Sequence, residues 1–187
     1  MTPPTSFRFL PREVFIPKSY DYDRFPKRKH PRLKQYDYAT PNYYFITICT
    51  KNKACIFGSP EKLNRCGKIA EDGILNIEKH FVNIKVDKYV VMPNHVHLIL
   101  ILLPGSAGVP VIVGQYKSFV TKQIRTIVPD QEVWQTSFHD HVIRSQEKYE
   151  KIWLYIEANP ANWERDCFCT DTATNQDSNF PTCSAGS

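Results

Sequence analysis

Residues 84–103 read "IKVDKYVVMPNHVHLILILL". Two β-rich runs, 84–92 and 95–103, flank the turn-forming pair Pro93 and Asn94. A tight turn there makes the runs antiparallel neighbours. The second run carries two imidazoles, His95 and His97, in an otherwise aliphatic segment. Side chains two apart on a strand share a face, about 6.6 Å apart along the backbone. His95 and His97 therefore point one way, Val96 and Leu98 the other. Two neutral imidazoles so placed can converge on one divalent cation. A pair that is solvent-facing or hydrogen-bonded on an ordinary sheet is the alternative, and spacing alone leaves both open.

Outward from this hairpin the periods alternate. Residues 43–51, "YYFITICTK", are β-branched and aromatic and predict a strand. Residues 60–81 place Leu63, Cys66, Ile69, Ala70, Ile74, Ile77 and Phe81 at intervals of three and four, an amphipathic helix. Downstream, "PGSAG" breaks the chain, 113–128 reads as a second helix and 133–143 as a fourth strand. A third helix starts with Ser145 as its expected N-cap and reaches Asn159 before Pro160 stops it. The order βαββαβ followed by a helix predicts an α+β fold: a ferredoxin-like antiparallel sheet, helices on one face and the other face open to a ligand.

The chain of 187 residues, 42% hydrophobic, has room for one good core. We expect a basic, proline-rich extended arm over 1–40, one folded domain over 41–165 and a polar, disordered tail over 166–187. No apolar run reaches roughly 18 residues, which argues against a membrane span. The beginning "MTPPTSFRFLPREVF" lacks signal-peptide features, so the expected location is cytoplasmic. The six cysteines lack C-x-x-C pairs, and Cys49 and Cys66 fall at expected core positions. Arg24, Lys27, Arg28, Lys29, Arg32 and Lys34 contribute +6 within a stretch free of acids, leaving −1 for the rest of the chain. Interleaved with Tyr20, Tyr22, Phe25, Tyr36 and Tyr38, this run can lie along a phosphate backbone and stack bases, or simply be solvated.

A second histidine pair, His139 and His141, encloses Asp140. If the imidazoles share one face, Asp140 faces the core, which is costly unless it is paired. The strand is then an edge, or has just ended. On the third helix Tyr155 and Asn159 lie one turn apart on one face. Read blandly, they are a core or boundary aromatic and a helix cap. Read chemically, a phenol can attack a phosphodiester, and an amide oxygen can join two imidazoles on a cation.

The stretch "VVMPNHVHLIL" resembles the His-hydrophobic-His motif of the HUH single-strand endonucleases and transposases. "WQTSFHDHVIRSQEKYEKIWLYIEANPANW" resembles the C-terminal signature of the REP-associated tyrosine transposases, and "GQYKSFVTKQI" fits the same group. The resemblance runs from Tyr43 to Trp163 and leaves out the arm and the tail. It implies that His95, His97 and Asn159 bind magnesium or manganese and that Tyr155 is the nucleophile. The implied reaction cleaves single-stranded DNA beside a hairpin of short palindromic repeats, leaving a 5′-phosphotyrosine and a free 3′-hydroxyl. His141 matches a family histidine whose role is unassigned. Lys117 and the six basic residues of the arm are candidate nucleic-acid contacts. Tyr116 and Tyr149 compete with Tyr155 for the nucleophile's place. The resemblance implies hairpin-bearing DNA as the partner, no membrane, and a monomer or homodimer as the acting form. The runner-up is a hairpin-binding module of the same shape without catalysis. A third reading is a transition-metal hydrolase acting on a small molecule.

Overall fold

The computed structural model describes Asp37 and residues 39–165. The arm's cations Arg24 to Lys34, and Cys167, Cys169 and Cys183 of the tail, lie outside the described residues. Strand β1 spans Asn42–Cys49. Helix α1, Arg65–Leu75, is followed by the single turn α2, Ile77–His80. Strands β2, Ile84–Met92, and β3, His95–Leu102, form the hairpin. Helix α3 is Val109–Arg125, strand β4 is His139–Ile143 and helix α4 is Gln146–Ala158. A 3-10 segment, Pro160–Arg165, follows. The sheet order is β2-β3-β1-β4 and every neighbouring pair is antiparallel, so the expected ferredoxin-like arrangement stands.

Period two sorts the sheet's side chains. Tyr44, Ile46, Ile48, Val96, Leu98, Leu100 and Leu102 join the main core, together with Ala70 and Ile74 of α1 and Ile112, Tyr116 and Val120 of α3. Helix α1 comes close to α3 at Gly73, where a Cβ would stand 2.9 Å from both the Tyr116 ring and Val120. The opposite face is not left open as expected. Helix α4 packs there, and Ile99 and Ile143 of the sheet meet Tyr149, Ile152, Tyr155 and Ile156.

Three boundaries move from their sequence expectation. Helix α1 begins at Arg65 and not at Pro60, because the Asn64 side chain caps it by accepting from the Gly67 N–H at 2.9 Å. Helix α3 starts four residues early, with Pro110 in its first turn, where a missing N–H costs nothing. The fourth strand shortens to His139–Ile143 because the preceding loop is held elsewhere. Trp134 packs its ring against Phe57 and Tyr116, and Lys117 Nζ donates to the carbonyls of Gln135 and Thr136. Strand β4 is the sheet's edge, and Asp140, opposite Ile46, is buried at 2% exposure.

Candidate active site

The tight turn at Pro93–Asn94 starts β3 at His95, and the pleat turns His95 and His97 away from the main core. Both are buried, at 0% and 1% exposure, with ring centroids 4.4 Å apart. Burial pushes the His97 pKa down to about 3. Burial, then His97 and Lys53, hold His95 well below the usual histidine range. Both rings are thus neutral at pH 7, the form that ligates metal.

Each ring has a polar neighbour at Nδ1. Thr47 Oγ1 of β1 lies 2.8 Å from His97 Nδ1. Asn94 Oδ1 lies 2.9 Å from His95 Nδ1. Helix α4 supplies the opposing wall. The Tyr155 hydroxyl is 3.2 Å from His97 Nε2, and the Asn159 side chain lies beside His95 and acts against the lowering of its pKa. Phe45 stacks on His97 at 5.2 Å and meets the Tyr155 ring edge-on at 6.1 Å. Trp163 lies over His95 at 6.1 Å. The four residues expected to act together, His95, His97, Tyr155 and Asn159, therefore meet in one place.

The other expected residues lie elsewhere. Tyr149 donates to Asp87 at 2.8 Å and packs edge-on against Tyr43. Tyr116 lies in the main core on the sheet's other side, with its hydroxyl on the Ala70 carbonyl. His139 and His141 are on β4 opposite Thr47 and Phe45, on the site's face but one strand beyond β1. Lys117 lines a groove of about 590 Å³ between α3 and the 132–136 loop, with Lys122 and Arg125. A second cleft of about 600 Å³ lies between Pro60–Glu61 and Pro160–Glu164, and its lining includes Trp163, the residue over His95. The histidine cluster itself is closed over, at 6% exposure for Tyr155.

The donor set has a definite character. Among the described residues no cluster of three or more His, Cys, Asp or Glu is placed to hold a metal. The Asn159 amide also stands beside the imidazole pair. Two nitrogens and an amide oxygen make a half-shell that fits a divalent cation able to fill its remaining positions with water or phosphate oxygens. Sequence reading missed Thr47, Phe45 and Trp163. A polar Thr47 inside "YYFITIC" was the available signal for the first. Trp163 was hidden because the chain continues as a 3-10 segment beyond Pro160.

Comparison with known proteins places these features. The sequence profile of a family described as "Transposase IS200 like" matches residues 38–159. An uncharacterised protein of Haemophilus influenzae is 33% identical over 169 residues, covering 77% of this chain and 94% of that one. A REP-associated tyrosine transposase, solved bound to a REP hairpin, shares the fold with a TM-score of 0.54 at 19% identity, over 71% of this chain and 73% of that one.

Proposed function

The chain belongs to the IS200-like transposase family, and we propose that it cleaves and rejoins single-stranded DNA beside palindromic hairpins through a 5′-phosphotyrosine. The observation that carries the reading is the Tyr155 hydroxyl 3.2 Å from His97 Nε2, with Asn159 against His95 one helical turn on. The hairpin bound by the structural neighbour supports the choice of DNA partner. In this reading His95, His97 and Asn159 hold a magnesium or manganese ion. When bound, the ion polarises the scissile phosphate and offsets charge on the departing oxygen.

The chain's own residues do the rest. Tyr155 Oη attacks phosphorus in line, the P–Oη bond forms and the P–O3′ bond breaks. The phenolic proton leaves to water, and the 3′-oxygen takes one up. Attack by the 3′-hydroxyl of another strand reverses the step and rejoins DNA. Phe45, packed on both His97 and Tyr155, fixes their relative position. The cations Arg24, Lys27, Arg28, Lys29, Arg32 and Lys34 hold the strand by its phosphates. Lys117 acts mainly as a tie for the 132–136 loop, since its ammonium already faces two carbonyls.

The test is a labelled hairpin oligonucleotide incubated with magnesium or manganese. A covalent protein–DNA adduct is expected, and Tyr155→Phe should abolish it while sparing binding. An adduct that survives this change would sink the assignment of Tyr155. Binding without any adduct in the unaltered chain would favour the hairpin-binding module.

A further inference from the structure

We propose that Thr47 and Asn94 are positioning residues that keep the proton of His97 and of His95 on Nδ1, so that each Nε2 keeps its lone pair for a cation. The inference deepens the metal-site reading above and rests on it. For His95 the hydrogen bonds decide the tautomer. Asn94 Nδ2 donates to the Lys53 carbonyl at 3.1 Å, which fixes the amide's orientation. The atom left facing His95 Nδ1 at 2.9 Å is Oδ1, which can only accept, so Nδ1 carries the hydrogen. Asn94 is itself anchored: it is fully buried, and its carbonyl accepts from the Thr50 N–H and hydroxyl, both at 2.9 Å.

For His97 the relative acidities decide. Thr47 Oγ1 at 2.8 Å and Tyr155 Oη at 3.2 Å flank the two ring nitrogens. A phenol is a stronger acid than an alkyl hydroxyl and a weaker acceptor. Tyr155 therefore donates to Nε2, and Nδ1–H donates to Thr47. The geometry is that of an outer-shell partner orienting a metal-ligating histidine, with a hydroxyl and an amide where a carboxylate often stands. An imidazole without such a partner divides its proton between two nitrogens and offers the Nε2 lone pair only part of the time.

The experiment uses the full chain labelled with 15N, metal-free, with nitrogen shifts of His95 and His97 read by NMR and assigned through His95→Gln and His97→Gln. Both histidines should show protonated Nδ1 and bare Nε2. Thr47→Val should lose that preference at His97 and weaken Mn2+ binding by about 10- to 100-fold, measured by electron paramagnetic resonance. Thr47→Ser should restore both, and Asn94→Ala should release His95. A proton on Nε2 of either ring in the unaltered protein overturns the proposal, as does Thr47→Val with unchanged tautomer and Mn2+ affinity. Correct tautomers in a chain that binds no Mn2+ would support the positioning role and overturn the metal reading instead.

Discussion

His97 shows how the fold can hold a proposed metal ligand in its neutral form. Its ring is enclosed by Phe45, His95 and Tyr155, and burial lowers its pKa to about 3. That lowering has a consequence for stability. The unfolded chain protonates this histidine near pH 6.5, the folded chain only near 3. Between those values the unfolded state binds more protons, so stability falls as pH drops through the window. The slope is up to about 1.4 kcal/mol per pH unit for each such histidine. Urea midpoints measured in EDTA should be level above pH 7 and fall below about 6.5, and His97→Gln should flatten part of the fall. An unchanged slope in that variant would show that acid sensitivity arises elsewhere. At this scale the sequence exposes the histidine pair, since strand alternation alone orients it. It does not expose Thr47, whose meeting with His97 depends on the β1–β3 register.

Helix α4 is the element on which the proposed chemistry turns, and Tyr149 serves its docking without standing at the proposed site. Ser145 caps its start as expected, accepting from the Lys148 N–H at 3.3 Å. Ile152 and Ile156 bury against the sheet. The Tyr149 hydroxyl reaches Asp87, which sits at the irregularity between Val86 and Lys88 in β2. Lys88 pairs with Glu157 and lies over the Trp153 ring. Tyr149→Phe should therefore lower the melting temperature, by a stability loss of about 1.5–3 kcal/mol for a hydrogen bond to a charged group. It should leave the covalent adduct intact, whereas Tyr155→Phe should remove the adduct. If Tyr149→Phe abolished the adduct in a folded protein, the nucleophile would have to be reassigned. The helix and its cap are legible in sequence because caps and prolines are local signals. The continuation past Pro160 that carries Trp163 onto His95 is not, because packing and not local preference sets it.

The same donor set allows a choice between ions. Imidazole nitrogens suit manganese better than magnesium, which prefers oxygen ligands and keeps its water. Titration of the unaltered chain should give tighter Mn2+ than Mg2+ binding, and Asn159→Ala should weaken both. Equal affinities in the Asn159→Ala variant would remove Asn159 from the ligand set.

At the scale of the whole molecule, the alternation of periods along the chain gives the fold its order, and the sheet order β2-β3-β1-β4 follows from that pattern. The loop at 133–138 defeats the reading because its β-branched and aromatic residues serve packing under α3, a tertiary use that the pattern cannot distinguish from a strand. The charge distribution leads to the last prediction. Six cations between Arg24 and Lys34 carry +6 in a chain whose net charge is +5. If they neutralise phosphates, each contact releases counterions and adds about 0.7 to the slope of log affinity against log salt on single strands, or about 0.9 on duplex. Replacing all six with glutamine should therefore flatten that slope by up to about 4 for a single strand. Adduct formation at saturating oligonucleotide should persist, because the proposed nucleophile and ligands come from β3, α4 and the α4 C-cap Asn159. Hairpin affinities measured across a salt series check this directly. An unchanged slope would mean that the run is only solvated and that the DNA is held by the domain alone.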